Sequence, residues 1–319
     1  MEFKEIYLAQ RRIQDIVRKT PLEYSPYFSE ACGGEVYLKL ENLQLTGSYK
    51  IRGALNKMLQ LNEEERKRGI VAVSSGNHAQ GVGLASRRLA VKATVVVPRN
   101  TPKTKIDAIR RYGVDLLVHG EIYDDAEIKA RELAKESSKV FISPYNDYQV
   151  IAGQGTVGLE IYEERHDLEA VLVPVGAGGL LSGVALALKT LNPKIRVFGV
   201  QSKASSVMYE SLKRGEIIEM PVKESIAEGL HGGIEKGAVS FDIVKQYVDG
   251  VILVEEENIK RAILLYLEHH HQIAEGSGAV VLAALLESSG RFRGQKLGAV
   301  ISGGNLDLTL LKEILTEQH

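Results

Sequence analysis

The sequence contains a single cysteine, Cys32, among its 319 residues. No internal disulfide can therefore form, which fits a protein that works in a reducing compartment. Cys32 precedes two glycines and has no obvious base beside it in the sequence, so we interpret it as a structural residue and not as a nucleophile.

A strong net charge is also missing, because 40 Lys and Arg residues face 41 Asp and Glu residues, for a formal net charge of −1. With no basic block in the chain, nucleic acid is not an expected partner. No run of about 18 apolar residues exists, so we expect no membrane-spanning segment and no membrane partner. The charged N-terminus lacks the apolar core of a signal peptide, and we expect a cytoplasmic location.

Apolar strands alternate with amphipathic helices twice along the chain. This pattern predicts an α/β fold with two doubly wound open parallel sheets and helices on both faces. Residues 144–158 are rich in turn formers and are predicted to cross between two domains. Ligands of such sheets bind at the carboxyl ends of the strands, so the loops that follow strands are the candidate binding sites. The strands are predicted at residues 69–73, 93–98, 114–118 and 140–142, and then at 170–175, 195–201, 251–254 and 297–301.

Lys50 stands at the start of a predicted helix, just after a strand at residues 35–40 and a polar bend. Thr46 and Ser48 in this bend are predicted helix caps, and Gly47 allows a tight turn. The positive end of the helix dipole disfavours a cation in the first turn and favours a neutral amine. A Schiff-base lysine needs such a setting, although a solvated helix lysine is the alternative.

Three glycine-containing loops follow predicted strands. The first contains Ser74, Ser75, Gly76, Asn77 and His78 and leads into a helix. Free backbone N–H groups and the helix dipole would bind a carboxylate or a phosphate there. Asn77 adds a donor for an oxygen such as a phenolate, and a plain strand-to-helix turn is the alternative.

The second loop consists of Gly176, Ala177, Gly178, Gly179 and Leu180 and opens another helix. Three glycines in four positions let backbone N–H groups converge on a phosphate. A dinucleotide fits less well, because Leu181 occupies the place of the third fingerprint glycine and the next strand ends in Gln201 instead of an acid. We therefore predict a monophosphate.

The third loop begins with Ser302 and continues through Gly303, Gly304 and Asn305. The end of a strand would direct Ser302 into a site, and a turn serine is the alternative. Three consecutive histidines at residues 269–271 face different directions on a helix, so we do not expect them to bind a metal.

These stretches occur together and in one order, and the combination resembles the threonine dehydratase and serine racemase family of pyridoxal-phosphate enzymes, which have the tryptophan synthase β fold. The resemblance covers nearly the whole chain and includes residues 151–156 and 274–279. It implies a large cofactor-binding domain of residues 1–60 and 147–319, and a small mobile domain of residues 61–146.

The resemblance also implies roles for individual residues. Lys50 would hold pyridoxal 5'-phosphate covalently, Asn77 would bond its 3-oxygen, and Ser302 would contact its pyridine nitrogen. Residues 176–180 would cradle the phosphate, and residues 74–78 would bind the substrate. Ser75 would lie near the substrate Cα, where racemases of the family use it as a second proton carrier.

Two departures from the family pattern bear on these roles. Tyr49 replaces a phenylalanine that many relatives carry before the lysine. Relatives with a divalent cation have acids after the strand that here ends in Gln201, whereas this chain has Ser202 and Ser205. A divalent metal is therefore doubtful, and we predict no metal ligands.

The implied function is dehydration and deamination of L-threonine, and of L-serine, to 2-oxobutanoate or pyruvate plus ammonia. The chain stops 14 residues after Asn305, which favours the short catabolic type. The implied partners are a hydroxy amino acid, a second copy in a homodimer or homotetramer, and a nucleotide effector. A serine racemase is the nearest alternative. A non-catalytic ligand-binding or sensor protein on the same fold is another, and a dinucleotide-dependent oxidoreductase is a third.

Overall fold

A computed structural model describes residues 1–288 and 290–317 of the chain. The described residues form two sheets, one of six strands in the order β1-β2-β10-β7-β8-β9 and one of four strands in the order β5-β4-β3-β6. The strands are β1 (Leu22–Tyr24), β2 (Glu35–Leu40), β3 (Ile70–Val73), β4 (Ala93–Val97), β5 (Asp115–Val118), β6 (Val140–Phe141), β7 (Ala170–Pro174), β8 (Arg196–Ser202), β9 (Gly250–Val254) and β10 (Lys296–Ile301).

Helices cover both sheets. They are α1 (Phe3–Ile13), α2 (Pro26–Cys32), α3 (Lys50–Leu59), α4 (Glu63–Arg68), α5 (Asn77–Leu89), α6 (Lys103–Arg110), α7 (Tyr123–Glu136), α8 (Tyr148–Glu164), α9 (Gly179–Leu191), α10 (Val207–Arg214), α11 (Val239–Tyr247), α12 (Glu256–His270), α13 (Gly276–Leu286) and α14 (Leu308–Thr316). Short 3₁₀ turns lie at Glu41–Leu43, Lys203–Ser205 and Glu228–Leu230. No helix in the described residues is long and apolar enough to cross a membrane.

Successive residues of the central strands bury their side chains on opposite faces. In β7, Leu172 packs into the core formed with α2, α12 and α13, while Val171 and Val173 pack into the core formed with α8, α9 and α11. A strand buried on both faces must be apolar throughout, which is why the sequence pattern identified it. The predicted α/β fold is confirmed, with one correction given next.

The large sheet is not purely parallel. Its edge strand β1 pairs antiparallel with β2, with Leu22 opposite Lys39 and Tyr24 opposite Tyr37. The other pairings in both sheets are parallel. The sequence pattern did not reveal β1, because three residues are too few to show an alternation of apolar and polar side chains. As an edge strand, β1 also pairs with only one other strand.

Most of the turn-rich stretch at residues 144–158 belongs to helix α8, and its part in a crossing between two domains stays a prediction. Asp147 caps the helix by accepting hydrogen bonds from the amides of Gln149 (2.7 Å) and Val150 (3.1 Å). A β-carbon on Gly153 would lie 2.6 Å from the Cα of Gly53 in α3. The glycines therefore allow helices to pack closely and do not mark turns.

The strands of the small sheet all lie between residues 70 and 141, inside the predicted small domain. Helix α3 nevertheless packs against α5, because a β-carbon on Gly81 would lie 3.0 Å from the backbone carbonyl carbon of Lys50. The small sheet is thus held directly against the start of α3. The domain limits at residues 61 and 146 stay a prediction.

Candidate active site

Lys50 is the first residue of α3 and its side chain is half-buried. Its Nζ donates a hydrogen bond of 3.2 Å to the carbonyl oxygen of Pro144 and lies 5.1 Å from the centroid of the Tyr49 ring. No carboxylate in the described residues pairs with Lys50, so no ion pair has to break before the amine meets a ligand.

The bend before Lys50 differs from the prediction, because neither Thr46 nor Ser48 caps α3. Tyr49 is the N-cap residue, and it makes no side-chain cap. The buried Ser48 hydroxyl has no hydrogen-bond partner among the described residues. The backbone is instead held by the third predicted loop, since Ser48 forms a β-bridge with Gly303 and the Tyr49 amide donates to the Ser302 carbonyl (3.1 Å). Backbone pairing with a segment distant in sequence therefore takes the place of the predicted side-chain caps.

The loop of residues 74–78 joins β3 to α5 and faces open space. A methyl group built on Gly76 would meet no described atom within 4 Å. Gly76 is the N-cap of α5 and supplies no side chain to its first amides. Ser74 uses its hydroxyl to accept from the Gly76 amide (3.1 Å), and Ser75 lies half-buried between them. An open, uncapped helix N-terminus is suited to a carboxylate.

His78 is the member of this loop whose side chain is least suited to a ligand. Its ring is buried, and Nε2 lies 2.9 Å from the carbonyl oxygen of Ile142. Burial, reinforced by the nearby Lys50 charge, lowers the pKa of His78 to about 3. The imidazole is therefore neutral at physiological pH, and a substrate carboxylate could use only the backbone amide of this residue.

The loop of residues 176–180 connects β7 to α9. Gly178 has φ of +93°, which is strained for any residue with a side chain. A β-carbon on Gly179 would lie 2.9 Å from Tyr145 Cα. The Ala177 carbonyl accepts from the Ser240 hydroxyl at 2.6 Å, which fixes the loop. Gly178 is also the N-cap of α9, and no side chain caps this helix. The first amides of α9 therefore lack a capping side chain, as phosphate binding requires.

Ser302 follows β10 and is buried, with its hydroxyl 3.4 Å from the carbonyl oxygen of Ser277. This bond is long, so the hydroxyl is weakly committed to the protein. Ser302 lies beside the Lys50 loop through its carbonyl bond to Tyr49. The loop of residues 302–305 therefore lies beside the bend between β2 and α3 that precedes Lys50.

A chain of amide hydrogen bonds joins the loops, and it includes a residue that we did not predict. Asn305 Nδ2 donates to the Thr46 carbonyl (2.8 Å) and to Asn77 Oδ1 (2.7 Å). Asn77 Nδ2 in turn donates to Glu275 Oε1 (2.6 Å). The only sequence signal for Glu275 was its position in a glycine-rich stretch at residues 274–279, which assigned it no role.

The loop that follows β8 is held by hydrogen bonds between protein groups. Gln201 Oε1 accepts from the Tyr209 amide (3.2 Å), and Ser205 Oγ accepts from the Gly232 amide (3.2 Å). Ser202 donates to Glu256. In the part of the chain that the structure describes, no group of three or more His, Cys, Asp or Glu side chains could hold a metal ion.

The donor set fits pyridoxal phosphate. An amine at Lys50 suits an aldehyde, and a bare glycine loop at a helix N-terminus suits a phosphate. The weakly bound Ser302 hydroxyl suits a ring nitrogen, and the second Nδ2 hydrogen of Asn77 suits a ring oxygen. The unpartnered Ser48 hydroxyl marks a further polar group in the same region.

Comparison with known proteins gives independent support for this fit. A family model described as "Pyridoxal-phosphate dependent enzyme" matches residues 13–303. The "L-threonine ammonia-lyase" of Thermotoga maritima is 47% identical over 315 residues, which cover 98% of this chain and 78% of that protein. The "L-threonine dehydratase catabolic TdcB" of Escherichia coli K12 is 41% identical over 314 residues, 97% of this chain and 94% of that protein.

Among solved structures, a serine racemase from Dictyostelium discoideum superimposes with a TM-score of 0.90 at 41% identity. The match covers 97% of this chain and 99% of that one. Similarity therefore extends over nearly the whole length of this chain.

Proposed function

The chain belongs to the family of pyridoxal-phosphate-dependent enzymes, and from this premise we propose that it is an ammonia-lyase for hydroxy amino acids. Its preferred reaction converts L-threonine to 2-oxobutanoate and ammonia, and L-serine gives pyruvate and ammonia. The observation that carries this proposal is the position of the Lys50 amine. It bonds only to the Pro144 carbonyl in the described residues, and it follows the bend that pairs with the loop of residues 302–305. The relatives named as threonine ammonia-lyase and threonine dehydratase support the substrate class.

The family confirms the predicted cofactor, pyridoxal 5'-phosphate. In the proposal, Lys50 holds it covalently and the backbone of residues 176–180 binds its phosphate. Asn77 donates to its ring oxygen, and Ser302 contacts its pyridine nitrogen. When bound, the cofactor supplies an electron sink for the electron pair left on the substrate Cα.

The side chains and backbone of this protein bind the substrate, transfer protons and exclude water. The amides at the start of α5 bind the substrate carboxylate, helped by the helix dipole. The free Lys50 Nζ would take the proton from Cα as a general base. The same amine, now protonated, can return a proton to the β-hydroxyl, which leaves as water. Hydrolysis of the enamine that remains gives the keto acid and ammonia. The loop of residues 74–78 shields the reacting atoms from water when it contacts the substrate.

Several polar contacts cross from the small sheet and its helices to the rest of the chain and would change on closure over the substrate. Asn77 bonds Glu275, Lys105 pairs with Glu228, Thr104 bonds Asp307, and Arg131 pairs with Glu235. We include this movement of residues 61–146 in the proposal, because polar contacts between partly exposed groups can break at small cost.

Serine racemase activity is the second candidate, and the likeness to the Dictyostelium discoideum serine racemase favours it. Lys50 and Ser75 would act on opposite faces of Cα in that reaction. A homodimer or homotetramer, a nucleotide effector and a cytoplasmic location stay part of the proposal on the strength of the family resemblance.

The products distinguish the two candidates. Purified enzyme with bound cofactor should form 2-oxobutanoate and ammonia in equal amounts from L-threonine, and pyruvate and ammonia from L-serine. The keto acids are measured with a coupled reductase, and D-serine is measured by chiral chromatography of the same samples. D-serine as the main product, with little keto acid, would refute the ammonia-lyase and support the racemase.

Removal of divalent metal should leave the rate of keto-acid formation unchanged. Hard cations require several oxygen ligands with negative charge, and the loop at Gln201, Ser202 and Ser205 offers neutral groups that already bond to protein. The enzyme is dialysed against a strong chelator and assayed with L-threonine, and the metal content is checked by mass spectrometry. A large loss that magnesium or calcium restores would contradict this expectation.

A further inference from the structure

Glu275 lies beside the proposed cofactor site and has no part in the function described so far. It precedes α13 and its backbone amide donates to the Gly303 carbonyl (3.0 Å). Although it is the N-cap residue of α13, its carboxyl group makes no capping bond. The side chain turns instead toward Asn77, whose Nδ2 donates to Oε1 at 2.6 Å. Helix capping therefore does not explain this carboxyl group.

The contact determines how Asn77 is oriented. On its other side, Asn77 Oδ1 accepts from Asn305 Nδ2 at 2.7 Å. An amide held by an acceptor at nitrogen and a donor at oxygen cannot rotate by half a turn without losing both bonds. One Nδ2 hydrogen remains free for a ligand. Glu275 and Asn305 together thus fix the direction in which that hydrogen points.

Charged groups of both signs surround the Glu275 carboxyl. They are Lys50 on α3, Lys105 on α6 and Glu228 in the 3₁₀ turn. Lys105 and Glu228 form an ion pair and largely cancel each other. His78 on α5 is neutral. Burial, together with Glu228, raises the pKa of Glu275 to about 7, against the lowering effects of Asn77, Lys105 and Lys50.

We propose that Glu275 is a positioning residue of this active site, which holds the Asn77 amide toward the cofactor and passes its own change of charge to that contact. The proposal rests on the proposed role of Asn77. Ionised Glu275 polarises the Asn77 amide and makes its remaining N–H a weaker donor to the cofactor's ring oxygen. Protonated Glu275 leaves that N–H a stronger donor.

The direct test is the visible absorbance of the bound cofactor, measured without substrate at different pH values. A residue with a merely structural role would not make this absorbance depend on pH. Titration of the holoenzyme should show a change in visible absorbance as Glu275 loses its proton, with a midpoint well above the range of an ordinary carboxyl group because burial raises the pKa of Glu275. The isosteric change Glu275→Gln keeps an acceptor for Asn77 and removes the charge. It should abolish the transition while the cofactor stays bound.

Glu228→Gln is the matched control. Glu228 does not contact Asn77, but its charge raises the pKa of Glu275. Its removal should keep the transition and move the midpoint to lower pH, since the positive charge of Lys105 then acts on Glu275 without compensation. This variant also tests the proposal if Glu275→Gln does not fold.

A transition that persists in Glu275→Gln, a wild-type enzyme with no transition, or an unchanged midpoint in Glu228→Gln would each overturn the proposal. These outcomes differ from a failure of the proposed function. If the proposed function is wrong, the Lys50→Ala variant would keep its turnover, and this result does not depend on the titration of Glu275.

Discussion

Replacement of Lys50 by alanine should lower the rate of keto-acid formation by about 10⁴-fold, the upper range for loss of a general base. The change removes the amine that would hold the cofactor and also the base that would take the Cα proton. Lys105 on α6, whose charge also acts on Glu275, is paired with Glu228 and is therefore not free to take over either role. Keto acid is measured at saturating L-threonine, with added pyridoxal phosphate.

Lys57→Ala provides a matched control on the same helix. Lys57 pairs with Asp147 at 2.8 Å and its side chain is 24% exposed, so its loss should have little effect on turnover. Reduction of the wild-type holoenzyme with borohydride, followed by peptide mass spectrometry, should fix the cofactor on the peptide that contains Lys50. Near-normal activity in Lys50→Ala, or cofactor fixed on another lysine, would refute the assignment.

The second large effect is expected at Arg52, two residues after Lys50. Its guanidinium group is fully buried and forks onto Glu41, with Nε and Nη2 each 2.8 Å from the carboxylate oxygens. Nη1 and Nη2 also bond Glu160 at 2.6 and 2.9 Å. Buried Lys39 neutralises the second carboxylate through a bond of 2.8 Å to Glu160. Two cations and two anions therefore balance in this network.

Arg52→Ala should lower the free energy of unfolding by about 3–5 kcal/mol, because it leaves two buried carboxylates with one cation. Urea denaturation followed by circular dichroism measures the change. Arg99→Ala is the matched control, since Arg99 pairs with Glu121 at the surface and both side chains are about two-thirds exposed (67% and 71%). We expect the control to lose at most about 1 kcal/mol.

The pH dependence gives a second check on Arg52. Burial alone would raise the pKa of Glu160, but Arg52 and Lys39 outweigh burial and hold it below its ordinary value of 4.5. The stabilisation is therefore present above this value and is lost as the pH falls below it. The stability difference between wild type and Arg52→Ala should narrow in acid. A deficit that is small at pH 7, or one that grows in acid, would contradict this account.

The sequence predicted the local elements well, because each has a periodic pattern of its own. Strand β2, helix α3 and the glycine loop at residues 176–180 lie where the pattern put them. The order of motifs along the chain also predicted the family and the cofactor, and the family model confirms both. The roles of the individual site residues stay predictions.

The errors have a common cause in tertiary packing. The glycines of α8 resemble turn residues until α3 is packed against them, with a Gly153 β-carbon 2.6 Å from Gly53. Ser48 resembles a helix cap, but the bridge to Gly303 fixes its backbone instead. In both places, the partner that decides the structure is distant in sequence and leaves no local pattern.

The sequence by itself determined most of the strands and helices, and which loops could bind a phosphate or a carboxylate. Periodicity and helix-terminus chemistry are local, so a window of a few residues contains them. Only the tertiary structure placed Glu275 against Asn77, 198 residues away along the chain, and buried Arg52 between two carboxylates. The burial and charge that set the chemistry of these groups come from neighbours that folding alone brings together.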